Sequence, residues 1–126
     1  MEDTRKEPIN VETIVGEGSS FEVPVRLYSG SVTGSSCSIG RYTYIRNNSA
    51  LSAKVTVGRF CSIGSNVTIG SVAHPIDRFT THPFTYEGGR RFPGSELEGV
   101  APLPVEIGKE THIGNDCWIG DGAMIL

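Results

Sequence analysis

An apolar residue recurs every six positions through most of this chain, and few folds can accommodate such a period. Val15, Phe21, Leu27, Ile39, Ile45, Leu51, Val57, Ile63 and Ile69 stand on one ladder of step six, interrupted only by Thr33. The step returns at Ile107, Ile113, Ile119 and Ile125. Four residues beyond each rung comes a small or β-branched side chain: Ser19, Val25, Ser31, Cys37, Thr43, Ser49, Val55, Cys61, Val67 and Ala73, then Thr111, Cys117 and Ala123. A helix repeats its buried face about every 3.6 residues and a strand every second residue, so neither alone explains the ladder. A short strand followed by a turn does, each unit adding a layer to a solenoid.

A narrow solenoid core also explains the composition. Only 37% of the 126 residues are hydrophobic and 16 are Gly, thin for a globular core but sufficient for a column of rungs. The net charge of −3 argues against nucleic acid or an acidic membrane as a partner. Residues 1–8 are charged and polar, with no apolar stretch, so neither a signal peptide nor a membrane span is expected. A reducing cytoplasm is the expected location. Cys37, Cys61 and Cys117 all fall in the small-residue slot, lack metal-ligand spacing, and read as compact core side chains.

The hexads divide the chain into a polar lead-in, 1–14, and a repeat domain, 15–126, interrupted by a loop over 75–106. That loop holds five of the seven prolines, Pro75, Pro83, Pro93, Pro102 and Pro104, a density that excludes regular strands. A long interruption in a compact repeat is most often functional. Gly follows the rung at 16, 34, 40, 58, 64, 70, 108, 114 and 120. Gly, Asn and Asp recur where the chain must turn, for which tolerance of positive φ is the expected reason.

The best-formed units, Ile63-Gly64-Ser65-Asn66-Val67-Thr68 and Ile113-Gly114-Asn115-Asp116-Cys117-Trp118, resemble the hexapeptide repeat of the left-handed parallel β-helix acyltransferases. The resemblance implies an all-β triangular prism, three hexads to a coil. Rungs 15, 33, 51 and 69 then share one face, 21, 39 and 57 a second, and 27, 45 and 63 the third, with coils about 4.8 Å apart.

The segment Ala73-His74-Pro75-Ile76-Asp77-Arg78-Phe79-Thr80-Thr81-His82-Pro83-Phe84, together with Ile113–Gly120, resembles the xenobiotic acetyltransferase branch of that family. Its members acetylate streptogramins and chloramphenicol, and close relatives acetylate sugar hydroxyls of polysaccharides. The resemblance implies an acetyl-CoA-dependent O-acetyltransferase with no metal, acting on a small hydroxyl acceptor at a site between subunits of a homotrimer. It also implies that His74, expected at a corner where the coil meets the loop, is the general base. Histidine suits that task near neutral pH.

Trp118, expected to point outward at a corner, would line the CoA groove or a subunit contact. His82 and Tyr86 are further candidates for substrate or cofactor binding, with a place in the loop's own core as the alternative for both. His112 is expected to be an exposed corner residue. Family members continue beyond a point equivalent to Leu126 with coils that bind much of the CoA. The chain is therefore expected to be truncated and, as it stands, to bind acetyl-CoA weakly.

Two other classes share such a fold. A γ-carbonic anhydrase needs three histidines converging on a metal, and His74, His82 and His112 lack that family's spacing. A shortened, inactive solenoid serving as a scaffold is the remaining alternative. An ice-binding face would want a regular Thr array, which is absent here.

Overall fold

The computed structural model describes residues 13–106 and 109–126. These form two units, one running up to Ser71 and resuming at Glu110, the other spanning Val72–Lys109. The first is a left-handed parallel β-helix. Its strands are two or three residues long and stack into three parallel sheets.

The first sheet stacks Ile14–Val15, Val32–Thr33, Ala50–Leu51, Thr68–Ile69 and Met124–Ile125. The second stacks Ser20–Phe21, Ser38–Ile39, Val55–Val57 and Thr111–Ile113. The third stacks Arg26–Leu27, Tyr44–Ile45, Ser62–Ile63 and Trp118–Ile119. The rungs thus distribute over three faces as the hexads require, and Leu51 lies between Thr33 and Ile69. Ile107, expected as a rung, lies outside the described residues.

Every rung from Leu27 to Ile69 is buried. The side chain four residues on points into the same column, and many of these residues are hydroxyls or thiols for a physical reason. Ser19, Thr43 and Ser49 donate to the carbonyls of Gly34, Gly58 and Gly64 at 2.7–2.8 Å. The same three oxygens accept from the amides of Cys37, Cys61 and Val67 at 3.0–3.1 Å. The Cys37 and Cys61 thiols reach the carbonyls of Ser52 and Gly114, both at 3.1 Å. These side chains complete the backbone ladder at the corners, where strand pairing lapses. Cys37 and Cys61 are buried free thiols, and Cys117 is half-buried.

The glycines after the rungs at 16, 34, 40, 58 and 64 answer a different need from the one expected. A Cβ on Gly58 would lie 2.6 Å from the Gly114 carbonyl oxygen, and one on Gly34 would lie 2.6 Å from the Ala53 amide. These glycines let successive coils approach. The left-handed conformation belongs two positions later. Gly18, Gly30, Ser36, Tyr42, Asn48, Lys54, Phe60, Asn66, Asp116 and Gly122 all have φ between 56° and 76°. Each is the third residue after a rung, at the corner itself.

The insertion keeps the register of the coils. Successive coils pair residues 18 apart, as Ile39 with Val57, whereas Val57 pairs with Ile113, 56 positions on. The difference of 38 equals the length of the unit Val72–Lys109. The prism therefore resumes as though nothing intervened.

Candidate functional site

The chain leaves the prism after Ile69. Gly70, unlike the other described glycines that follow a rung, has φ of +79°, and a Cβ there would lie 2.7 Å from a Val55 methyl carbon. Only glycine fits that exit. His74 follows within the insertion unit and is exposed. It does not occupy a corner of a regular hexad, because the repeat ends before it.

The His74 ring is oriented from behind. Its Nδ1 lies 2.8 Å from the Thr81 carbonyl oxygen. A carbonyl can only accept, so in the neutral ring Nδ1 carries the hydrogen and Nε2 keeps a lone pair. His82 is in the opposite state. Its Nδ1 accepts from the Phe84 amide at 3.1 Å, so its proton sits on Nε2. Of the two rings, His74 presents the arrangement that suits a base held by a backbone acceptor.

His82 is part of the insertion's own core. Its ring lies against Phe84 and Phe92, with centroids 5.4 and 5.9 Å away, and Phe79 approaches Phe84 at 6.1 Å. Pro83 starts the single-turn helix α1, Phe84–Glu87, which carries the half-buried Tyr86. Thr85 is buried and binds the His82 carbonyl through its hydroxyl at 3.2 Å. The return segment is tied by the Leu103 amide to the Thr85 carbonyl at 2.8 Å and by Arg78 Nη2 to the Pro104 carbonyl. Glu87 accepts two bonds from Arg91, at 2.7 and 3.0 Å. That guanidinium holds the Glu87 carboxyl below its ordinary value, with smaller contributions from Arg90 and His74. Arg91 is thus engaged by a carboxylate within the insertion itself.

Trp118 lies on the prism. It stands on a flat face of the third sheet rather than at a corner, because the residue just before a rung points outward from the strand. Its outward neighbours across the strands are Ser62, then Tyr44, then Arg26. The indole is 87% exposed, flanked by the small Ser62. His112 likewise lies on a strand, in register with Thr56, with Nε2 3.4 Å from a Glu110 carboxylate oxygen. Among the described residues no group of three His, Cys, Asp or Glu side chains is placed to hold a metal ion. No described helix is long and apolar enough to cross a membrane.

Comparison with known proteins agrees with this architecture. Residues 36–71 match the bacterial transferase hexapeptide (six repeats) family. The chain is 36% identical over 76 residues to a chloramphenicol acetyltransferase of Morganella morganii, an overlap covering 58% of this chain and 34% of the relative. A chloramphenicol acetyltransferase of Klebsiella aerogenes is 34% identical over the same shares. A protein named "Probable macrolide acetyltransferase", from Lysinibacillus sphaericus, is 34% identical over 79 residues, 58% of this chain and 39% of that one. The matched region thus spans little more than a third of these relatives' length. No solved structure matches. In its repeats the chain is similar to the hexapeptide acetyltransferases.

Proposed function

We propose that this chain carries the prism and the catalytic base of an acetyl-CoA-dependent O-acetyltransferase acting on a hydroxyl of an antibiotic or a sugar. One observation carries the reading: an exposed imidazole, His74, whose Nδ1 is bound to the Thr81 carbonyl at 2.8 Å and whose Nε2 is thereby left as the acceptor. The similarity to acetyltransferases named for chloramphenicol and macrolides supports the acyl-transfer class.

In this mechanism Nε2 takes the proton of the acceptor hydroxyl as its oxygen bonds to the acetyl carbonyl carbon. The carbon–sulfur bond then breaks, and the CoA sulfur leaves with the proton returned from Nε2. The Thr81 carbonyl holds the ring throughout and stabilises the imidazolium while it exists. Trp118, exposed on the prism, is a candidate for a cofactor contact or a subunit contact in its own right. His82 and Tyr86 contribute by shaping the acceptor side of the insertion. Assembly as a trimer, in a cytoplasm, completes the proposal.

The test is acetyl transfer from acetyl-CoA to a panel of hydroxyl acceptors by the parent chain and by His74→Ala. Loss of roughly 100-fold or more in turnover is expected for the variant. Equal rates would exclude His74 as the base, and no transfer by the parent to any acceptor would favour the inactive solenoid.

A further inference from the structure

One groove belongs to the prism alone and has no part in the mechanism above. It lies along the first two coils, lined by Pro24, Val25, Arg26, Tyr28, Tyr42 and Tyr44 with Thr43, and has a volume of about 340 Å³. That is within the range of small-molecule sites.

Two arginines stand beside Tyr28; Arg26 lines the groove, and Arg46 does not itself line it. The Arg26 guanidinium lies 5.8 Å from the centroid of the Tyr28 ring, and that of Arg46 lies 5.5 Å from the same ring. Both arginines are exposed, and neither has a carboxylate partner among the described residues. Arg59, by contrast, is neutralised by Glu22 at 2.7 Å. Two like charges near one ring repel each other, and an anion bound near them would relieve that repulsion.

The rim is also built at some conformational cost. Tyr42 is 52% exposed, yet sits in the left-handed region with φ of 64°, uncommon for a bulky side chain. Its ring stacks on Phe60 at 4.9 Å and 28°. Tyr28, Tyr42 and Tyr44 all line the groove, which favours a flat or ring-shaped ligand. A carboxylate is matched by a single guanidinium fork, whereas two guanidinia suit a group with more oxygens and more charge.

We propose that this groove is a second binding site, for a ring compound bearing a phosphate. A mononucleotide and a sugar phosphate share that chemistry. The proposal is independent of acetyl transfer.

Calorimetric titration of the whole chain with uridine monophosphate and with glucose 1-phosphate tests it and distinguishes base from sugar. At least one of them is expected to saturate with Kd below about 1 mM. It should bind at least about tenfold more tightly than uridine or glucose, and than inorganic phosphate. Arg26→Gln and Arg46→Gln should each weaken binding about tenfold or more, while Tyr28→Phe, which keeps the ring, binds like the parent. A melting curve for each variant shows that the fold is retained. Saturation by neither compound, inorganic phosphate binding as tightly as either, or unchanged affinity in a folded Arg46→Gln would each overturn the proposal.

Discussion

Ser49 shows how much depends on one hydroxyl. It is wholly buried, donates to the Gly64 carbonyl at 2.8 Å and accepts from the Val67 amide at 3.0 Å. Replacing it with alanine leaves a buried amide and a buried carbonyl without that partner. Ser49→Ala should therefore lower stability by about 1–3 kcal/mol. Ser49→Cys should lose less, because the thiols of Cys37 and Cys61 already donate across the same step. Urea denaturation of the three proteins decides it, and equal midpoints would show that the ladder contributes nothing. The sequence displayed this slot only as small or β-branched. Polarity inside the column was invisible to it, since a serine four residues beyond a rung reads equally well as filler.

At the scale of the hexad, each unit is a strand of two or three residues and a corner. The apolar period made both strands and faces legible, because a rung that slipped one place would turn outward. The corners were less legible. Glycine, asparagine and aspartate pointed to turns, but the left-handed position is also filled by Lys54, Tyr42 and Phe60. Stacking of coils over the whole prism overrides the local preference of those side chains. The same rule moves Trp118 from corner to flat face, since the outward strand position directly precedes the rung. A corner should nonetheless resist a β-branched side chain. Asn66, with φ of 57°, suits its place, so Asn66→Val should cost on the order of 1–2 kcal/mol, whereas Asn66→Gly should stay close to the parent. Melting curves that rank valine level with glycine would contradict the corner argument.

For the molecule as a whole, the division of labour between prism and insertion is the central claim. Motif residues drew attention to His74, the base proposed above, but not to how its ring is held. The insertion has no period, and its folding around His82, Phe84 and Phe92 follows from side-chain contacts that spacing does not encode. Register makes the division testable. Removing 72–109 joins Ser71 directly to Glu110, so that Ile69-Gly70-Ser71-Glu110-Thr111-His112-Ile113 reads as an unbroken hexad, with Thr111 in the small-residue slot. Glu110 then falls at the left-handed corner position, and Glu110→Gly would suit it. Shortening the connection from about forty residues to a few also relieves a closure entropy on the order of 2 kcal/mol. The shortened chain should keep the circular dichroism of the parent's parallel strands and melt no lower. It should show no acetyl transfer, because His74 and the Thr81 carbonyl are gone. A shortened chain that fails to fold would mean that the prism depends on the insertion for its stability.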